Sequence, residues 1–292
     1  MGLVLAELNP LTHVVQHRLF SVPLSAPWPF DQITVLSNHI IMQIVAAALL
    51  ILVLPRAIRG VREHSGWGRL VPTGFGNAIE AACEQLRERV AKPALGPYAD
   101  AFLPYIWSAF FFVFTCNLLG LIPLADWFRI VPGHAIGGTS TGNIMVTAAL
   151  AVCTLGMIVI NGLRLHGLAY VKHFFMGPPG LNVFIAILEL IGLLAKTFAL
   201  AMRLFANMLA GHILLAVLLS FIGMAWNALG AAGGLAISIP VILGSVAINF
   251  LELLVALLQA FVFTFLSATF IGQAVNIHHD DEEKHAHATE GH

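Results

Sequence analysis

The sequence predicts an all-α integral membrane protein with about five membrane-crossing helices, the last two very long and strongly tilted, plus an amphipathic surface helix. Three observations predict it. First, 59% of the 292 residues are hydrophobic, only 10% are charged and mean hydropathy is +0.88. Soluble domains carry about 25% charged residues, so this chain has too little polar surface to coat a globule. Second, the apolar residues gather into runs near or above the roughly 20 that a spanning helix needs. Third, Lys and Arg gather in the segments between those runs. The formal net charge of −1 offers no electrostatic hold on nucleic acid.

Residues 1–37 read as an ordered but irregular leader. No basic stretch precedes an apolar run there, and Glu7, Asn9 and Pro10 interrupt it. It matches neither a signal peptide nor an Arg-rich transit sequence, so the expectation is that the mature protein keeps it. A single transmembrane domain over 38–277 follows, and a polar tail over 278–292 that reads as disordered. The five histidines of "HHDDEEKHAHATEGH" are read as solvated rather than as a metal site.

The first span covers about 38–54 and closes at Pro55-Arg56. Arg56, Arg59, Arg62, Arg69, Arg87, Arg89 and Lys92 then concentrate half of the chain's basic residues. Within that segment 77–92 (NAIEAACEQLRERVAK) is amphipathic, with apolar positions 79, 82/83, 86 and 90 on one face. It is expected to lie at the membrane surface. The second span covers about 101–124, and a Gly/Pro-containing loop occupies 125–141. The third covers 143–163, and a loop over 164–180 contains Arg164, Lys172 and "MGPPG". By the positive-inside rule the leader lies outside and the tail inside.

Two longer segments, 181–224 and 235–277, complete the domain. As helices each is about 60 Å long, against a hydrocarbon core of about 30 Å. "WNALGAAGG" (226–234) is the clear break between them, whereas Gly211 alone is a weak turn signal. The reading is a hairpin of two tilted helices. The three cysteines, Cys83, Cys116 and Cys153, have no metal spacing and read as small buried hydrophobes.

Only four charged residues occur in 181–277: Glu189, Lys196, Arg203 and Glu252. A charge at mid-bilayer costs roughly 2.5–3.5 kcal/mol on insertion scales. Glu189, Lys196 and Arg203 are spaced by seven, so they share one helical face with a drift of about 20° per heptad. Asn207 extends that stripe by a turn. His212, nine residues beyond Arg203, points the opposite way. On the last helix Ser238, Ser245, Glu252, Gln259 and Gln273 are spaced by multiples of seven, and Asn249 lies a turn before Glu252.

Polar groups can simply glue membrane helices together, and that reading suits Asn117, Asn143, Thr147, Thr154 and Asn161. His39 reads as an interfacial residue. Intramembrane ionisable groups instead mark ion or substrate paths. Histidine titrates near neutrality and a carboxyl also exchanges protons, so His212 and Glu252 suit proton transfer. A rival reading is a secondary transporter that binds an anionic substrate at Arg203. Such transporters carry internal repeats, and the 181–224 pattern has no second copy. A haem cytochrome would need paired deep histidines, and only His212 is deep.

Three segments resemble subunit a of the F-type ATP synthases. "RLFANMLAGH" (203–212) is similar to the family's Arg-Leu-Phe-x-Asn-x-x-x-Gly segment. "ELLVALLQAFVFTFLS" (252–267) is similar to its Gln-Ala-Phe-x-Phe segment, and "FTCNLLGLIP" (114–123) to its Asn-Leu-x-Gly-x-x-Pro motif. The likeness runs from about 98 to 275. It implies a non-catalytic stator subunit of a rotary ATP synthase, without cofactor or bound metal, partnered by a c-subunit ring, peripheral-stalk b subunits and lipid. It assigns Arg203 to face the ring's carboxylate and His212 and Glu252 to act as a pair. It places Gln259 near the arginine, and Asn207, Glu189, Asn249 and Lys196 along two proton half-channels. A bacterial plasma membrane and a mitochondrial inner membrane both fit, with the former favoured. Proton or sodium coupling is left open, since the coupling carboxylate lies in another chain.

Overall fold

A computed structural model describes residues 18–23, 32–59, 74–121, 140–167, 170 and 181–276. The expected tail over 278–292, most of the basic loop after the first span, and most of the loops 125–141 and 164–180 lie outside the described residues.

Two strands, β1 (Arg18–Pro23) and β2 (Gln32–Ser37), pair antiparallel. The leader expected to be irregular therefore contains regular backbone. Ser37 ends β2 and caps the next helix. Its Oγ accepts from Ile40 N at 3.4 Å, which serves one of the helix's orphan N–H groups. The rest is helical: α1 (Asn38–Arg59), α2 (Phe75–Leu86), α3 (Lys92–Leu95), α4 (Ala99–Leu121), α5 (Ile144–His166) and α6 (Asn182–Val275). A π turn over Arg87–Ala91 joins α2 to α3, and a 3-10 turn over Gly96–Tyr98 joins α3 to α4. Four helical stretches are long and apolar enough to cross a membrane: Asn38–Arg56, Phe75–Leu121, Ile144–His166 and Asn182–Val275. The protein is a multi-pass membrane protein.

The fourth stretch holds 94 residues and is two helices in one. At Gly230 φ is 71° and ψ −168°, a conformation that glycine adopts because it lacks a Cβ. The break divides α6 into a first arm, 182–229, and a second arm, 231–275. Pro55 does not end α1. The helix runs on to Arg59, and the Arg56 guanidinium donates to Leu52 O at 2.8 Å beside the bond that proline cannot make.

The described residues fall into two compact units. One draws on Met1–Leu50, Phe112–Thr147 and Met202–Ala260, and the other on Ile51–Phe111, Ala148–Ala201 and Phe261–His292. In the first unit the two arms of α6 run antiparallel: Asn207 bonds to Gln259, Gly211 abuts Glu252, and Leu218 reaches Gly244. Leu204, Met208, Val241, Ala256 and Ala260 are buried there, with Val113 and Cys116 of α4. His39, expected at an interface, is buried at the start of α1.

In the second unit the π turn keeps Leu86, Val90, Ala91 and Leu95 on the buried side. Trp107 Nε1 donates to Cys83 O at 3.1 Å, and Arg87 pairs with Asp100 at 3.0 Å. Tyr105, Thr154 and Ser267 join α4, α5 and α6 through hydroxyls, with 2.8 Å between Tyr105 and Thr154 and 3.4 Å between Thr154 and Ser267. The end of α6 is held closely: His166 Nε2 lies 2.8 Å from Val275 O, and Gly272 packs against the Ala94 carbonyl. Cys153, expected to be buried, is exposed on α5, and Cys83 is half-buried. In a membrane protein an apolar side chain is satisfied by lipid, so hydrophobicity does not report burial.

Candidate functional site

In the first unit the site is built where the two arms of α6 meet. On the first arm Leu200, Ala201, Leu204 and Met208 are buried. Arg203 falls between buried turns and is exposed. Ala206 and Ala210, three and seven residues on, are exposed beside it, as are Ala195 and Ala199 before it. The guanidinium thus stands on a face bordered by small side chains. Among the described residues the ion pairs are Arg87–Asp100 and Lys92–Glu88, so Arg203 has no carboxylate partner there.

One turn beyond, Asn207 Nδ2 donates to Gln259 Oε1 at 2.7 Å. That bond crosses between the arms and fixes the Gln259 carboxamide. Gln259 itself is buried, and its Nε2 has no hydrogen-bond partner among the described residues.

A further turn along, the first arm carries Gly211 opposite Glu252. A Cβ at position 211 would lie 2.9 Å from Glu252 Cδ, so the carboxyl occupies space that only a glycine leaves open. Glu252 is 3% exposed, and both of its oxygens are without a hydrogen bond among the described residues. His212 is half-buried, adjacent in sequence to the glycine that meets Glu252, and shares the side of the arm that buries Leu204 and Met208. Arg203 and His212 therefore do take opposite sides. Asn249 is exposed.

From α4, Asn117 Nδ2 donates to Ala256 O at 3.3 Å. Ala256 lies on the same strip of the second arm, between Glu252 and Gln259. The Asn117 side chain is fully buried, and its Oδ1 is without a partner among the described residues.

Glu189 and Lys196 belong to the second unit. Lys196 Nζ donates to Gln273 Oε1 at 2.9 Å and lies 5.4 Å from the centre of the Phe270 ring. A neutral amide and a ring face accept the ammonium charge there. Glu189 is exposed on the helix surface. It acts on Tyr170, whose ring lies against Gly162. Burial, and then the Glu189 charge, push the Tyr170 phenol above its ordinary pKa.

Three partners were not legible as such in the sequence: Gly211, Asn117 and the Gln273–Phe270 pair. Gln273 did fall in the polar stripe of the second arm, and Asn117 lay in a recognisable segment, but neither position names its contact. No group of three or more His, Cys, Asp or Glu residues could hold a metal among the described residues.

The ATP synthase A chain family model matches residues 40–272. This extends the likeness well upstream of residue 98, through α1 and the amphipathic segment. The chain is 36% identical over 289 residues to ATP synthase subunit a of Chlorobium phaeobacteroides, covering 94% of this chain and 79% of that one. It is 36% identical over 287 residues to ATP synthase subunit a 2 of Prosthecochloris aestuarii, covering 94% and 82%. With ATP synthase subunit a of Myxococcus xanthus the identity is 39% over 261 residues, covering 88% and 78%. A multi-pass bundle that keeps an arginine on an open helical face and carboxyl and amide groups between two long arms thus has the sequence to match: the chain belongs to the ATP synthase A chain family.

Proposed function

We propose that this chain is the proton-conducting stator subunit of a rotary ATP synthase, working against a ring of c subunits in a bacterial plasma membrane. The observation that carries the reading is Arg203, exposed on a face of small residues and without a carboxylate of its own among the described residues. A buried or lipid-facing guanidinium needs a counter-charge, and the rotor carboxylate supplies it as each c subunit passes.

The chemistry follows from the side chain. A guanidinium does not give up its proton, so Arg203 does not relay one. It favours the ionised form of a carboxylic acid brought next to it, and so drives proton release from the rotor. It also repels a proton that would pass straight between two half-channels. Protons then cross only by riding the ring. Each charge that crosses yields about 2.3 kcal/mol per 100 mV of membrane potential. That energy becomes rotation because the direct route is closed.

Glu252 and His212, the residue after the glycine that Glu252 meets, are the proton-exchanging pair of one half-channel, lined also by Asn207, Asn249 and Gln259. Glu189 and Lys196 line the other. The chain performs no bond chemistry itself; peripheral-stalk b subunits hold it against the ring. The family match leaves the secondary-transporter reading without an observation in its favour.

Arg203→Lys tests this. The substitution keeps a cation of similar reach that can deprotonate. ATP-driven proton pumping into inverted membrane vesicles is expected to be lost while the complex still assembles. Pumping at the unsubstituted rate would refute the assignment.

A further inference from the structure

We propose that Gln273 of the second arm is a positioning residue of the second half-channel. With Phe270 it holds the Lys196 ammonium as an uncompensated positive charge, which favours proton release from the rotor carboxylate on that side. The inference rests on the half-channel reading of Lys196 given above. Lys196 is exposed; its Nζ donates to Gln273 Oε1 at 2.9 Å and lies 5.4 Å from the centre of the Phe270 ring. All three residues belong to the second unit, and the contacts run from the first arm of α6 to the last turns of the second. Gln273 sits in a held turn. Gly272 before it packs against the Ala94 carbonyl, and Val275 O beyond it lies 2.8 Å from His166 Nε2.

Both groups that receive the ammonium are neutral. An amide oxygen accepts the hydrogen bond and leaves the charge in place, whereas a carboxylate would cancel it. A ring face attracts a cation through its quadrupole without neutralising it. Among the described residues the ion pairs are Arg87–Asp100 and Lys92–Glu88, and neither involves Lys196. A carboxylate does share its helical face: Glu189 lies seven residues earlier. Side chains of a helix lean toward its N-terminus, so a loose Lys196 would lean toward Glu189. Gln273 draws it across to the other arm instead.

The rest of the unit supplies little competing charge. The second arm carries none between Glu252 and Asn276. On α3 and the π turn, Lys92 and Glu88 offset each other, as Arg87 and Asp100 do at the start of α4. On α5, Arg164 is exposed and His166 is engaged with Val275 O. Tyr170 lies against Gly162. A positive charge near a carboxylic acid favours its ionised form. Acting over about 10 Å at an effective dielectric of about 20, a unit charge moves such a group by about one pH unit.

The assay is the pH profile of ATP-driven proton pumping by the whole complex in inverted vesicles. These expose the inner face to the medium, so pumping draws protons through the second half-channel. It fails at alkaline pH, when the rotor carboxylate no longer takes up a proton from this side. Lys196 holds that carboxylate ionised, so loss of its charge moves the alkaline limit up. Lys196→Met removes the charge. Gln273→Glu keeps an acceptor oxygen in place and cancels the charge. Both are expected to raise the limit by about one pH unit, with ATP hydrolysis by the detached catalytic head as the reference. A mere helix contact by Gln273 would survive Gln273→Glu and leave the profile where it was.

A Gln273→Glu profile that superimposes on the unsubstituted one overturns the inference, and so does an unmoved profile in Lys196→Met. If Gln273→Glu does not assemble, Gln273→Leu decides. A freed ammonium turning to Glu189 raises the limit, and an unmoved limit refutes the holding role. Arg203→Lys separates the inference from the reading beneath it. Pumping lost there at every pH, with unmoved profiles in the other variants, sinks the inference and leaves the stator reading standing. Pumping at the unsubstituted rate in Arg203→Lys removes that reading and the inference with it.

Discussion

The Gly211→Ala substitution tests the contact between the two arms most directly. The added Cβ would lie 2.9 Å from Glu252 Cδ and 3.3 Å from Cγ, with Oε1 closer still. Carbon atoms settle about 3.5–4.0 Å apart, so the carboxyl has to withdraw by about 1 Å or turn to another rotamer. It is the far end of a flexible side chain, so the fold can accommodate the change. Holding it about 30° off a rotamer costs about 0.5–1.5 kcal/mol. Over RT, that is roughly a twofold to tenfold loss in a rate that depends on the seated carboxyl. Alanine also favours the helix by up to about 1 kcal/mol over glycine. The two terms nearly cancel in stability, so flux should fall while the melting temperature changes little. Gly223→Ala is the control on the same arm, since a Cβ there meets nothing within 4 Å. Thermal stability of the detergent-solubilised complex and passive proton flux are measured for both. Flux in Gly211→Ala equal to that in Gly223→Ala would refute the argument that Glu252 works from this seat.

Two further outcomes follow from the second unit. Gly272→Ala would drive a Cβ into backbone rather than a side-chain tip, with Ala94 C 2.9 Å away. Overpacking of that kind costs about 1–3 kcal/mol, seen as a lower melting temperature and less chain in the membrane; an unchanged melting temperature would show that the two backbones are not in contact. Glu189→Gln removes the charge that, after burial, holds the Tyr170 phenol above its ordinary pKa. The value should fall without returning to that of free tyrosine, because burial remains. Phenolate absorbance resolves it, since the chain has only three tyrosines.

Much of the architecture was readable because charge is scarce in this chain. Arg203, Lys196 and Glu189 stood out against apolar neighbours, and their spacing placed them on one face before any contact was known. The break at Gly230 was readable from a cluster of glycines in "WNALGAAGG". Other features leave no such trace. The π turn over Arg87–Ala91 is a slip of one residue in hydrogen bonding and needs no special composition. The strands Arg18–Pro23 and Gln32–Ser37 are short, and one ends on a proline, so no alternation is long enough to read. Gly211 was visible only as a lone glycine and hence as a weak turn signal. Its place against Glu252 depends on the register of one arm on the other, which no single helix encodes. Asn207 with Gln259 and Lys196 with Gln273 depend on that same register.

The turn at Gly230 also bears on how the chain is made. A nascent second arm entering the bilayer alone would present Glu252 and Gln259 to lipid, and a first arm alone would present Lys196. Each ionisable group charges roughly 2.5–3.5 kcal/mol against partition of its segment. Once the chain folds back at Gly230, Asn207 reaches Gln259 and Lys196 reaches Gln273 across the arms. These bonds between the arms thus favour partition of the two as one hairpin over partition as successive helices. A stiffening substitution at Gly230 would accordingly be felt first during biosynthesis, as chain that never leaves the insertion machinery, and only afterwards as lost transport.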